Sequence, residues 1–329
     1  MCGIFLSGVL MAMTLSGSAS EKMALSSDVV TSWPESDINI GQATGVAVDS
    51  HNHVFVFHRA SREWKGPLPE TPISEATIAM LDADTGVQLS EWGGDMFGMP
   101  HGLSIDTDDN IWVTDVINQQ VYKFSHDGEL LLTLGEYRTM GTGPGQFGRP
   151  TDVAFTSAGN ILISDGYVNT RIVSYSRDGV EQGSWTSGEE DKHAFDLPHG
   201  IAVTRDDRIL VVDRGNARIQ VRNVNGEFLE DWKSKEIGWP YGIAVAPSGD
   251  IWVIDGGKQP NKTRARVLQL SDVGEVLQAF SAAAADDEAT LGHDIAIGMD
   301  GAVYTVDAWG GYVRKFLPRT EPQPTAETN

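Results

Sequence analysis

Short apolar runs separated by polar turns fill this chain, and no long stretch of helical periodicity interrupts them. One run recurs six times, as GVAVD from Gly45, GLSID from Gly102, DVAFT from Asp152, GIAVT from Gly200, GIAVA from Gly242 and DIAIG from Asp294, at spacings of 57, 50, 48, 42 and 52 residues. Each is followed by a turn rich in Asp, Gly, Asn or Ser. A second β-rich run comes next and usually ends in aspartate, at Asp115, Asp165, Asp213, Asp255 and Asp307. Two more β-rich segments follow in most copies, such as QQVYKF and ELLLTLG. Four short strands per unit of about 40 to 50 residues is the pattern of a propeller blade, so the chain is expected to be an all-β, six-bladed β-propeller.

The sixth copy supplies three strands, DIAIG, AVYTVDA and YVRKFLP, and lacks an outer one. The segment DVVTSWP at Asp28–Pro34 resembles the outer strands that end at Trp92, Trp185 and Trp232. An N-terminal strand is therefore expected to complete the last blade and close the ring. Closure also removes a sheet edge that could pair with other chains.

Composition narrows the class further. A length of 329 residues could hold two average domains, but the repeats occupy residues 28–318, which predicts a single propeller domain. The net charge of −22 argues against nucleic acid or an anionic membrane as partner, since both need a positive face. No protein partner is indicated, and a monomer is expected. Residues 1–20 read as a signal peptide, with an apolar run from Ile4 to Leu15 followed by small residues, so export is expected. The single cysteine, Cys2, lies inside that segment, so no disulfide is expected in the mature chain. Residues 319–329 have the polar, Pro-containing composition of a disordered tail.

Three histidines stand in one slot of the repeat in every second copy: His101 in PHGLSID, His199 in PHGIAVT and His293 in GHDIAIG. Eight histidines in 329 residues would put far fewer than one in those six slots by chance. In a closed ring they would stand about 120° apart around the axis, as three neutral ligands of a zinc ion with an open position. A lone histidine there would more simply cap a strand by hydrogen bonding; the alternation favours the metal. The other three slots hold Thr44, Thr151 and Tyr241, which could orient the ligands or fill space.

In an up-and-down blade the end of the second strand lies on the same face as the start of the innermost one. His58 and Arg59, Gly166 and Tyr167, and Asp213 and Arg214 should therefore share the histidines' face. The repeated aspartates occupy one slot in five blades and read as structural caps of backbone amides. Arg59 and Arg214 have two readings, as partners of nearby carboxylates or as a clamp for a substrate carboxylate. Tyr167, in an SDGY turn, is either a packed loop aromatic or a base beside a metal and an arginine.

GVAVD with FHR, PHGLSIDTD with WVTDV, PTDVAF with SDGYVNTRIV, LPHGIAV with VDRGNARIQ, and HDIA with VYTVDA together resemble the catalytic core of peptidyl-α-hydroxyglycine α-amidating lyases. The resemblance covers all six blades, from about residue 41 to 317. It implies zinc on His101, His199 and His293, Tyr167 and Arg59 as catalytic residues, and Arg214 as a further active-site arginine that binds substrate. It also implies a structural calcium on the carbonyls of Val46 and Leu103 and the carboxylate of Asp294. The implied reaction cleaves the C–N bond of an N-acyl α-hydroxyglycine, on a small molecule or a peptide C-terminus, to an amide and glyoxylate. Leu291 and Gly292 stand where the family favours Met and Pro, and the copper monooxygenase half of the bifunctional enzymes is missing, so a substrate made elsewhere is expected. Another carbinolamide such as ureidoglycolate, a lactonase or esterase chemistry, and a non-catalytic binding propeller remain as alternatives.

Overall fold

A computed structural model describes residues 28–317, apart from 36–37, 68, 187–191, 258–263, 284–286 and 288–289. The expected signal peptide and disordered tail lie outside the described residues. Six four-stranded antiparallel sheets form the blades. Blade 1 contains β2 (Ala43–Val48), β3 (His53–His58), β4 (Ile78–Asp82) and β5 (Gln88–Trp92). Blade 2 contains β6 (Pro100–Ile105), β7 (Ile111–Asp115), β8 (Gln120–Phe124) and β9 (Leu130–Leu134). Blade 3 runs through β10 (Asp152–Phe155), β11 (Ile161–Asp165), β12 (Arg171–Tyr175) and β13 (Glu181–Trp185). Blade 4 is built from β14 (Pro198–Val203), β15 (Ile209–Asp213), β16 (Arg218–Arg222) and β17 (Phe228–Trp232). Blade 5 follows with β18 (Pro240–Val245), β19 (Ile251–Asp255), β20 (Arg266–Leu270) and β21 (Val276–Ser281). Blade 6 takes β22 (Gly292–Ile297), β23 (Val303–Asp307) and β24 (Val313–Leu317) from the end of the chain and β1 (Asp28–Val29) from its start.

The ring closes as the sequence predicts, but by a shorter strand. β1 pairs Asp28 with Leu317 and Val29 with Phe316, and ends before Trp33. Trp33 does not finish an outer strand as Trp92 and Trp185 do. It is buried between blades 1 and 6, 5.0 Å from the Tyr304 ring, and donates from Nε1 to the Asp82 carbonyl.

The burial pattern explains why the second runs of the repeat are continuously apolar. Strands β7, β11, β15, β19 and β23 are buried along their whole length, because a neighbouring blade covers each face. The outer strands β5 and β13 face solvent through their centres, with Ser90 and Glu91 exposed in one and Gln182 and Ser184 in the other. The hydrophobic core is correspondingly divided into six clusters among the described residues, one in each seam between adjacent blades. Each blade thus buries its faces only against its two neighbours, which makes closure of the ring a packing requirement.

The strand-end aspartates are caps. Asp115 accepts hydrogen bonds from the amides of Gly98, Met99, Ile117 and Asn118, and burial pushes its carboxyl above the ordinary range. Asp165 and Asp213 instead combine one amide with the guanidinium groups of Arg171 and Arg218. His58 fills this slot in blade 1 and accepts from the Ala60 amide through Nδ1 at 3.1 Å. Burial lowers its pKa to about 4, so the ring stays neutral in the folded chain. An unfolded imidazole binds a proton below about pH 6.5, whereas this one does so only near pH 4; stability is therefore lost as pH falls through that window. Going from about pH 7 to about pH 4.5, the metal-free protein should lose roughly 2–3 kcal/mol more than its His58→Asn variant. Denaturant unfolding at both pH values measures the difference, and equal losses would refute the neutral buried imidazole.

Candidate functional site

The three alternating histidines meet on the ring axis. Each is the second residue of an innermost strand, in β6, β14 and β22. The pairing register shifts there in all three blades, between Pro100 and Leu103, Pro198 and Ile201, and Gly292 and Asp294. Such a bulge re-aims a side chain, here toward the axis. The ring centroids of His101, His199 and His293 are 4.7–4.9 Å apart, and their potential ligand atoms all lie within 4.8 Å of one another.

Each imidazole is oriented by the next blade. His101 Nδ1 lies 2.7 Å from the Thr151 carbonyl, His199 Nδ1 lies 2.9 Å from that of Tyr241, and His293 Nδ1 lies 2.7 Å from that of Thr44. A carbonyl only accepts, so each Nδ1 carries the proton and each Nε2 presents a lone pair. The three slots without histidine thus orient the three that have it, through main-chain oxygens. Gly102 permits the close approach of the strands, since a Cβ there would fall 2.3 Å from the same Thr151 oxygen.

Burial, first of all, holds the three histidines below the ordinary imidazole range. The charges of nearby Arg59 and Arg214 push in the same direction, and His293 falls to about 3. Neutral imidazoles are what metal coordination requires. His199 Nε2 is buried with no hydrogen-bond partner, an arrangement that is costly unless an ion takes the lone pair. The space bounded by the three histidines, Asp152 and Asp294 is about 10 Å³, room for one ion or water and nothing larger. Three nitrogen donors without thiolate suit zinc.

The predicted partners gather above this layer. Tyr167 Oη is 2.9 Å from His101 Nε2. Its loop packs against blade 4 because Gly166 has no Cβ, which would fall 1.7 Å from the Pro198 carbonyl. Arg59 is buried, donates from Nε to the Pro100 carbonyl at 3.1 Å and from Nη1 to Gln42 Oε1 at 3.0 Å, and lies 4.9 Å from the Trp64 ring centre. Burial lowers its pKa to about 10, which still leaves it charged at neutral pH. The Arg214 guanidinium sits over the rings of Tyr241 and Tyr167, at 4.6 and 5.3 Å. No ion pair within 4.0 Å holds either arginine among the described residues.

Together Gln42, Arg59, Trp64, Tyr167, Arg214 and Tyr241 border a cavity of about 260 Å³, which His293, Leu291 and Trp309 also line. Trp64, whose ring centre is 5.3 Å from that of Tyr167, and Gln42 are absent from the sequence-level site. Both lie outside the repeated strands, so no periodicity marks them.

Below the histidines, Val46, Leu103 and Asp294 line a common channel, as a shared calcium site requires, and Asp152 joins them. Asp294 accepts from the Val46 amide at 3.0 Å and Asp152 from that of Ile201 at 3.0 Å. Burial raises both carboxyls, and the Asp152 charge raises Asp294 further. Two facing carboxylates with this cost of ionisation suit a hard cation with oxygen ligands. Asp152 is missing from the sequence-level site, although a signal exists: blades 3 and 6 carry Asp where the other anchors begin with Gly.

Comparison with known proteins agrees with this architecture. The NHL repeat model matches residues 97–124 and 195–221. Peptidyl-glycine alpha-amidating monooxygenase B of Xenopus laevis is 35% identical over 312 residues, covering 88% of this chain and 35% of that protein. Peptidyl-alpha-hydroxyglycine alpha-amidating lyase 1 of Drosophila melanogaster is 30% identical over 327 residues, covering 89% of this chain and 60% of the fly protein. The chain thus spans about a third of the length of the frog relative. Among solved structures, a gluconolactonase from Xanthomonas campestris shares the fold at a TM-score of 0.63 and 13% identity, over 91% of this chain and 92% of that one. Relatives of 30–36% identity along most of the chain, among them proteins named peptidyl-alpha-hydroxyglycine alpha-amidating lyase, and NHL repeats in its blades bear out the resemblance to that family.

Proposed function

We propose that this chain is a zinc-dependent carbon–nitrogen lyase that converts an N-acyl α-hydroxyglycine to an amide and glyoxylate. The observation that carries the reading is Tyr167 Oη standing 2.9 Å from His101 Nε2, at the floor of a cavity bordered by two arginines. The substrate is a carbinolamide with a carboxylate on the same carbon. Removal of the hydroxyl proton lets the oxygen form a carbonyl as the C–N bond breaks, and the departing amide nitrogen takes up one proton. No oxidant or water is consumed.

Tyr167, in its phenolate form, accepts the hydroxyl proton, and the guanidinium groups of Arg59 and Arg214 stabilise the negative charge in the cavity. Arg214 binds the substrate carboxylate, which becomes that of glyoxylate. Arg59, with Nε and Nη1 engaged by the protein, offers Nη2 to the oxygen that becomes the carbonyl. Trp64 packs on both Tyr167 and Arg59 and restricts their motion. The Nε2 atoms of His101, His199 and His293 would hold zinc, which would supply Lewis acidity that lowers the cost of deprotonating the substrate. Asp294 and the carbonyls of Val46 and Leu103 would hold calcium, which would offset the charge of the buried carboxylates.

Release of glyoxylate from α-hydroxyhippurate tests the reading, with zinc content measured on the same protein. Stoichiometric glyoxylate and benzamide are expected. A protein that takes up zinc at the channel histidines yet leaves this compound intact, while cleaving ureidoglycolate or a lactone, would redirect the assignment to those substrates.

A further inference from the structure

A second group of histidines lies on the face opposite Tyr167 and the arginines. It straddles the seam between the β2–β3 turn of blade 1 and the turn that follows β8 in blade 2. Asp49 is buried, and its Oδ1 accepts the amides of His51 and His53 at 2.9 and 2.7 Å. Its Oδ2 lies 2.9 Å from His53 Nδ1 and 2.8 Å from His126 Nε2. The side chains of His53 and His126 are 25% and 30% exposed, so the site is open to ions from solvent. The three potential ligand atoms lie within 4.8 Å of one another. The His51 ring stands 5.8 Å from that of His126 and 6.2 Å from that of His53.

The same turn in blade 2 shows what the fold itself requires. Asp106 stands where Asp49 does, and its partners are the side chains of Asn110, Trp112 and Lys123. Those groups donate hydrogen bonds and do not bind metal ions in this state. Blade 1 places His53 in the position of Asn110 and recruits His126 from the neighbouring blade. Capping of the turn therefore explains Asp49 but not its imidazole partners.

We propose that Asp49, His53 and His126 form a second binding site for a borderline divalent transition-metal cation, zinc foremost, with His51 or water at the fourth position. Two imidazoles and a carboxylate form a ligand set that zinc accepts, at metal–ligand distances of about 2.0–2.2 Å. The protons now shared with Asp49 leave when the ion enters. Hydrogen bonds from the two histidines outweigh the opposing effect of burial and hold Asp49 below the usual carboxylate range, so the anionic ligand is present at neutral pH. Bound metal would join blades 1 and 2 on the face away from the substrate cavity and stabilise that seam.

The test counts bound zinc on the full chain after chelation and titration with Zn²⁺ in excess Ca²⁺, for the wild type and for His53→Gln/His126→Gln. Glutamine retains a hydrogen-bond donor to Asp49, and His126→Gln alone provides a second variant changed in only one blade. The wild type should bind one more equivalent at micromolar free zinc than either variant, and zinc should raise its melting temperature more. Glyoxylate release should be equal in all three. The difference of one equivalent holds whether or not the channel histidines bind zinc, so the two assignments fail separately. Equal zinc stoichiometry in wild type and variants would overturn the site, leaving the histidines as hydrogen-bond partners of Asp49 alone.

Discussion

Tyr167→Phe should lower kcat for glyoxylate release by about 10²–10⁴-fold, the usual contribution of a positioned general base. The substitution removes one oxygen and preserves the ring that packs against Trp64 and lies beneath the Arg214 guanidinium. It also leaves the Nδ1 contacts of the three histidines intact, because those run to main-chain carbonyls. Zinc content and melting temperature should therefore stay near wild type while turnover collapses. Such a separation identifies a chemical role, whereas a structural tyrosine would lose stability and activity together. Unchanged turnover in the variant would eliminate Tyr167 as the base.

His199→Ala should abolish zinc binding in the channel and reduce activity to near the uncatalysed rate. Two histidines would remain, and the ligand removed is the one whose Nε2 is buried without a partner. The substitution also leaves the Tyr241 carbonyl without its donor, at a cost of about 1–3 kcal/mol, so some loss of stability is expected even without metal. Melting with and without chelator separates the two effects. Chelation should lower the wild-type melting temperature more than that of the variant, because only the wild type has the channel ion to lose. A variant that retains full activity and the wild-type response to chelator would remove His199 from the metal site.

Much of this site is legible before any tertiary contact is known, because a ring of repeats converts sequence slots into spatial positions. The alternation of His101, His199 and His293 is such a case, since every second blade of six faces the axis at equal intervals. The shared face of Arg59, Tyr167 and Arg214 follows equally from strand direction. What orients the histidines is not legible, because the carbonyls of Thr44, Thr151 and Tyr241 are groups that every residue possesses. Trp64 and Gln42 also escape, since their positions depend on the path of a long connection and on no period. The sequence pattern places Trp33 at the end of a strand; its indole instead fills the closing seam, where burial against Tyr304 decides its place.

By itself the sequence determined the number of blades, the direction of their strands and the residues that reach the axis, since these depend only on local alternation and the repeat. The tertiary structure alone decided which groups meet across seams: the carbonyl behind each imidazole, Asp152 facing Asp294, and His126 of blade 2 on Asp49 of blade 1. Those contacts join residues 42 to 249 positions apart, and only the relative placement of rigid blades brings them within hydrogen-bonding distance.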